Sequence, residues 1–136
     1  MHHLHLNHWA ILVSALIQWF LGAAWYSPAL FAKPWMSMVF VRADSKRTNS
    51  MIMGMIVSFI GSLVTSLVLA HAVMWSGADS YGWGAFIGFL MWLGFIASPL
   101  AASYIYEGRP FKLFAINTGY WLVGLVITGC LLAVWQ

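Results

Sequence analysis

The chain has 136 residues, of which 62% are hydrophobic and only 7% charged. A soluble domain averages about 45–50% apolar and about 25% charged residues, and one this small buries only about two-thirds of its surface, so a water-soluble globule is excluded. The net charge of +3 does not point to nucleic acid, because the six basic residues fall in and beside two short linkers and form no patch on a folded domain.

About 20 mainly apolar residues are needed for a helix to cross hydrocarbon. The first such segment covers 8–27 and stops before Pro28; Ser14, Gln18 and Gly22 share one of its faces. Gly22-Ala23-Ala24 offers a small-x-small cleavage site, but no Lys or Arg precedes the apolar run as a signal peptide requires, so a retained span is expected. In the linker 28–50, Leu30, Phe31, Trp35, Met38 and Val39 recur at helical spacing, with Lys33 and Ser37 between them and Pro34 suited to a first turn. That pattern predicts a short amphipathic helix lying in the interface.

The second span is predicted over 51–75, with Asn49-Ser50 as its cap. Gly54, Ser58, Ser62, Ser66 and Ala70 repeat every four residues along it, which makes one face small. A turn of small polar residues, 76–80, leads to a third span over 81–106. Gly84 and Gly88 form a GxxxG pair there, Ser98 and Ala102 continue the small spacing, and Pro99 predicts a mid-helix kink. Glu107-Gly108-Arg109-Pro110 is a second tight turn, and the last span is predicted over 111–135. Short turns make sequential helices antiparallel neighbours. The expected fold is an all-α membrane protein: one domain, four transmembrane helices in an antiparallel bundle, and an interfacial helix between the first two spans.

Lys33, Arg42, Lys46 and Arg47 lie in the first linker, and Arg109 and Lys112 in and just beyond the third. The positive-inside rule makes linkers 28–50 and 107–110 cytoplasmic and puts both termini and the 76–80 turn outside, in a multi-pass protein of the plasma (inner) membrane. Trp25, Tyr26 and Trp35 read as anchors at the headgroup level.

Two motifs resemble a known family. One is Gly22-Ala23-Ala24-Trp25-Tyr26-Ser27-Pro28-Ala29-Leu30-Phe31-Ala32-Lys33-Pro34-Trp35; the other is Glu107-Gly108-Arg109-Pro110-Phe111 followed by Ile116-Asn117-Thr118-Gly119-Tyr120. Together they are similar to a mostly bacterial family of small four-helix membrane proteins of unknown function, with a Trp-Tyr-Ser-Pro signature and an acidic-Arg turn before an Asn-containing last helix. The resemblance spans nearly the whole chain and implies the fold; it brings no activity, substrate or catalytic residue. The histidine-rich start is not part of that pattern.

Few residues carry chemistry. Gln18 and Asn117 are costly inside hydrocarbon unless hydrogen-bonded, so they mark either a polar path through the bundle or a bond between helices. All three carboxylates, Asp44, Asp79 and Glu107, fall at linkers, which argues against ion-coupled transport. His2, His3, His5, His8 and His71 come to one side by this topology, with Met74 and Asp79, and imidazole suits Zn, Cu or Ni. The bland alternative is a solvated tail beside one interfacial histidine. Cys130 stands alone, so no disulfide within the chain forms. Gly54, Ser58, Ser62, Ser66, Gly84 and Gly88 serve either packing within the bundle or a seam between copies.

The expected role is that of a structural or accessory subunit, in contact with the lipid bilayer and with its own copies or another membrane protein. The alternative is a small channel or carrier for a neutral solute or a metal ion; an enzyme ranks third, since no nucleophile–base pair stands out. A water-accessible pocket touching Gln18 and Asn117 would favour transport, and a dry interior the accessory role.

Overall fold

The computed structural model describes residues 6–27, 30–38 and 46–135. The described residues are helical apart from caps and turns: α1 His8–Trp25, α2 Ala32–Met38, α3 Lys46–Ser76, α4 Tyr81–Trp92, α5 Ser98–Tyr106 and α6 Phe111–Val134, with a π-helical turn, Leu93–Ala97, joining α4 to α5. Four stretches are long and apolar enough to cross a membrane: His8–Trp25, Met51–Ser76, Tyr81–Tyr106 and Phe111–Val134. The protein is thus a multi-pass membrane protein built from helices, the one open-ended structure that satisfies its backbone bonds internally in lipid.

Local chemistry sets the helix ends. Asn7 caps α1, its side-chain oxygen accepting from the N–H groups of Trp9 and Ala10 at 3.1 and 3.2 Å. α3 is already helical at Lys46, so Asn49-Ser50, expected as its cap, lies inside the helix. Nothing in Lys46-Arg47-Thr48 breaks a helix, and the span simply continues into the polar linker. The two tight turns share one device: Gly77 and Gly108 adopt φ of +75° and +68°, and the next N–H, of Ala78 or Arg109, returns to the carbonyl of Val73 or Tyr104. A side chain at either glycine would strain that conformation. α2 is the helix foreseen in the first linker, with Pro34 in its first turn.

The third span bends without breaking. Pro99 has no N–H, and its ring would crowd the Phe95 carbonyl. The helix widens into the π turn just before it, and the Leu93 carbonyl accepts both the Ser98 N–H and, at 2.7 Å, the Ser98 hydroxyl.

α6 is the central post. In its most apolar stretch 44% of residues are buried, against 28% or less in the other spans. α4 lies closest to it because Gly84 and Gly88 meet α6 backbone at Gly129 and Leu125, where added Cβ atoms would collide. α1 and α3 pack on its other sides, and their ends, from Leu6 to Ala10 and Ala70 to Met74, meet Leu132 and Trp135. At the opposite end residues 51–58 of α3 are all exposed, and α1 reaches α3 there through Trp19, whose indole N–H donates to the Met55 carbonyl at 3.1 Å. Near mid-span an apolar crevice of about 530 Å³ opens between Val64 and Val68 of α3, Met91 of α4, Phe95 of the π turn and Trp121 of α6.

Candidate functional site

The two sequence motifs, far apart along the chain, meet at one end of the bundle. α1 ends at Trp25, whose indole N–H donates to the Ile116 carbonyl at 2.9 Å. Gly119, one turn on, leaves room for that ring: a Cβ there would lie 3.3 Å from it. The Tyr26 hydroxyl donates to Asn117 Oδ1 at 2.8 Å, and Asn117 Nδ2 donates to the Tyr104 hydroxyl at 2.8 Å. One amide therefore ties the ends of three spans. Tyr104 is buried, and the Arg109 guanidinium sits over its ring, 4.1 Å from the centroid. Arg109 also reaches Glu107 at 3.4 Å, a long and exposed pair that contributes little.

Aromatic rings close the cluster. Tyr26 meets Trp35 of α2 and Tyr120 of α6 edge-on, with centroids 5.5 and 5.8 Å apart. Ser27, next in the signature, turns its hydroxyl back to the Ala24 carbonyl at 2.6 Å and ends the helix. Pro28 and Ala29 lie outside the described residues. Tyr120 extends the polar line into the bundle, its hydroxyl donating to the Gln18 carbonyl at 2.9 Å. Trp92 of α4 donates its indole N–H to the Thr118 carbonyl at 2.8 Å. Among the described residues the site offers phenols, indoles and one amide, with the Arg109 guanidinium over Tyr104. It can clamp helices and hold a polar group, and among the described residues it sets no base beside a nucleophile.

A family model described as a protein of unknown function, DUF1761, matches residues 9–133. The chain belongs to the DUF1761 family. No curated protein and no solved structure matches it.

The other sequence-marked residues of this DUF1761 chain take separate places. Gln18 does not join Asn117: its side chain is 1% exposed and lies against Gly124, where a Cβ would overlap the amide. Neither its oxygen nor its nitrogen makes a hydrogen bond of ordinary geometry, although the amide lies near the Tyr120 hydroxyl, and Ser14 Oγ one turn earlier is likewise unbonded. Ser62 and Ser66 are buried, whereas Gly54 and Ser58 of the same row are exposed. Trp25, Tyr26 and Trp35, foreseen only as anchors, are half-buried members of the cluster.

His2, His3, His5 and Arg42 lie outside the described residues. His8 is exposed at the start of α1, and Nδ1 of His71 lies 2.8 Å from the Leu67 carbonyl of its own helix. Among the described residues, no three His, Cys, Asp or Glu side chains gather around a common point. Tyr104 was missed in the sequence. Its signal was the tight 107–110 turn, which folds the residues just before it against the first turns of α6.

Proposed function

We propose that this DUF1761 protein is a structural or accessory subunit that associates through α3, with its own copies or within a larger membrane complex. The carrying observation is the exposed half of α3. Residues 51–58 are all exposed, and Gly54 has nothing within 4 Å of its missing Cβ. The small row that buries Ser62 and Ser66 inside the bundle thus runs on, at Gly54 and Ser58, onto an exposed helix face. Helices in lipid gain little from hydrophobicity and associate by close packing at such faces. The enclosure of Gln18 supports the same reading over a channel or carrier, because the amide that would line a polar path is shut from solvent. The basic linkers support an orientation with 28–50 and 107–110 in the cytoplasm and both termini outside, in the inner membrane.

The test is native mass spectrometry of protein released gently from its own membrane. A whole multiple of 15.2 kDa, or the added mass of another polypeptide, is expected. Gly54→Leu with Ser58→Leu should reduce it to a single chain. A wild-type chain that is released alone, or an assembly indifferent to both substitutions, would refute the role of this face. For orientation, alkaline phosphatase fused to the C-terminus should be active and a fluorescent protein fused there dark.

A further inference from the structure

We propose that Ser14 and Gln18 form an internal hydration site, holding at least one occluded water between α1 and α6 within the hydrocarbon layer. Three polar atoms carry the inference: Ser14 Oγ, Gln18 Oε1 and Gln18 Nε2 are all buried and none makes a hydrogen bond of ordinary geometry, the Tyr120 hydroxyl near the amide being spent on the Gln18 carbonyl. Ser14 and Gln18 are one helical turn apart on the same face of α1 and are 0% and 1% exposed. Buried polar groups are almost always bonded, and the requirement is strictest in lipid, where no bulk solvent takes over.

Nearby carbonyls are already engaged. The Gln18 carbonyl accepts the Tyr120 hydroxyl, and the Gly124 carbonyl accepts the Thr128 hydroxyl at 2.8 Å. The occupant must be neutral, since α1 carries no Asp, Glu, Lys or Arg and the only such residue of α6, Lys112, lies in its first turn. It must also offer both a donor and an acceptor, because the orphans include an amide N–H₂, an amide oxygen and a hydroxyl. The site is closed to lipid headgroups and to a second chain, so it must be small as well. Water meets all three conditions and commonly satisfies such groups with about three bonds. Gly124 lets the amide reach α6: with any Cβ there, the Gln18 amide could not lie where it does. This water is enclosed, so it does not make the bundle a conduit.

The sequence favours a direct test, because the only glutamines are Gln18 and Gln136. Full-length protein labelled with ¹⁵N-glutamine and reconstituted in lipid bilayers gives two side-chain amide signals, and Gln136→Asn assigns them. In water-edited solid-state NMR, polarisation should reach Gln18 Nε2 severalfold faster than it reaches the backbone N of Gln18. Ser14→Ala should slow that transfer while the Gln18 signal remains. If Nε2 receives no faster transfer than the backbone, the site is dry and the proposal is wrong. A Gln18 amide that stays dry and shifts on Tyr120→Phe would instead assign it a bond to the Tyr120 hydroxyl oxygen. Transfer unchanged by Ser14→Ala would remove Ser14 from the site and overturn the pairing proposed.

Discussion

Tyr26 and Asn117 stand 91 residues apart and are joined by a 2.8 Å hydrogen bond, with Asn117 passing a second bond of equal length to Tyr104. Hydrogen bonds between helices in lipid average about 0.6 kcal/mol and reach about 1.7 kcal/mol. Asn117→Leu removes both bonds and should lower stability in detergent by about 1 kcal/mol. Tyr26→Phe and Tyr104→Phe remove one each and should lose about half as much. Reversible unfolding of the singles and of each pair gives the coupling. A Tyr26→Phe loss that persists undiminished in the Asn117→Leu background would mean that the phenol acts through its ring contacts with Trp35 and Tyr120.

Glycines that look alike in sequence have opposite surroundings. A Cβ at Gly84 or Gly88 would run into the backbone of Gly129 or Leu125, whereas at Gly54 and Gly61 it meets nothing within 4 Å. Forcing extra atoms into a packed contact typically costs about 1–3 kcal/mol. Gly84→Ala and Gly88→Ala should each lose that much in thermal unfolding. Gly54→Ala and Gly61→Ala, measured on the single chain in detergent, should be neutral or gain up to about 1 kcal/mol from helix propensity.

The π turn gives a third expectation. The missing N–H of Pro99 and the crowding of the Phe95 carbonyl are what widen the helix here, with the Leu93 carbonyl serving Ser98 twice. Pro99→Ala restores a donor that reaches the Phe95 carbonyl, so the turn should tighten toward α-helix. Hydrogen exchange of amides 95–101 should slow in the variant. Ser98→Ala, which removes only the hydroxyl bond, should cost less than about 1.5 kcal/mol.

The spans were legible because lipid excludes charge: with every Asp and Glu at a linker, segment length alone delimits four helices. Helix rotation and pairing were not legible, for the same reason. In water a polar face marks the outside of a helix, but in lipid both faces are apolar. Gly84 and Gly54 were thus equal candidates on paper, although one meets α6 and the other lies bare. Apolar length marks where a helix enters lipid, at Met51, and not how far the helix runs beyond it, so Asn49-Ser50 lies inside α3 and does not cap it. Asn117 was visible as an amide within a span. Its two tyrosine partners depend on which ends the turns bring together, and that information is three-dimensional.

Gly124 and Gln18 provide the sharpest test of the interior. A Cβ at Gly124 would coincide with the Gln18 amide, and the amide is enclosed by the bundle. Gly124→Ala should therefore destabilise by about 1–3 kcal/mol. Gln18→Ala empties the space that the new methyl needs, so the double variant should be more stable than the sum of the singles. Residues in direct contact typically couple by about 0.5–3 kcal/mol, whereas distant ones add within about 0.5 kcal/mol. Thermal unfolding of the four proteins in one detergent measures the coupling. Simple additivity would mean that the Gln18 side chain does not lie on Gly124, and the enclosed polar site between α1 and α6 would lose its geometric basis.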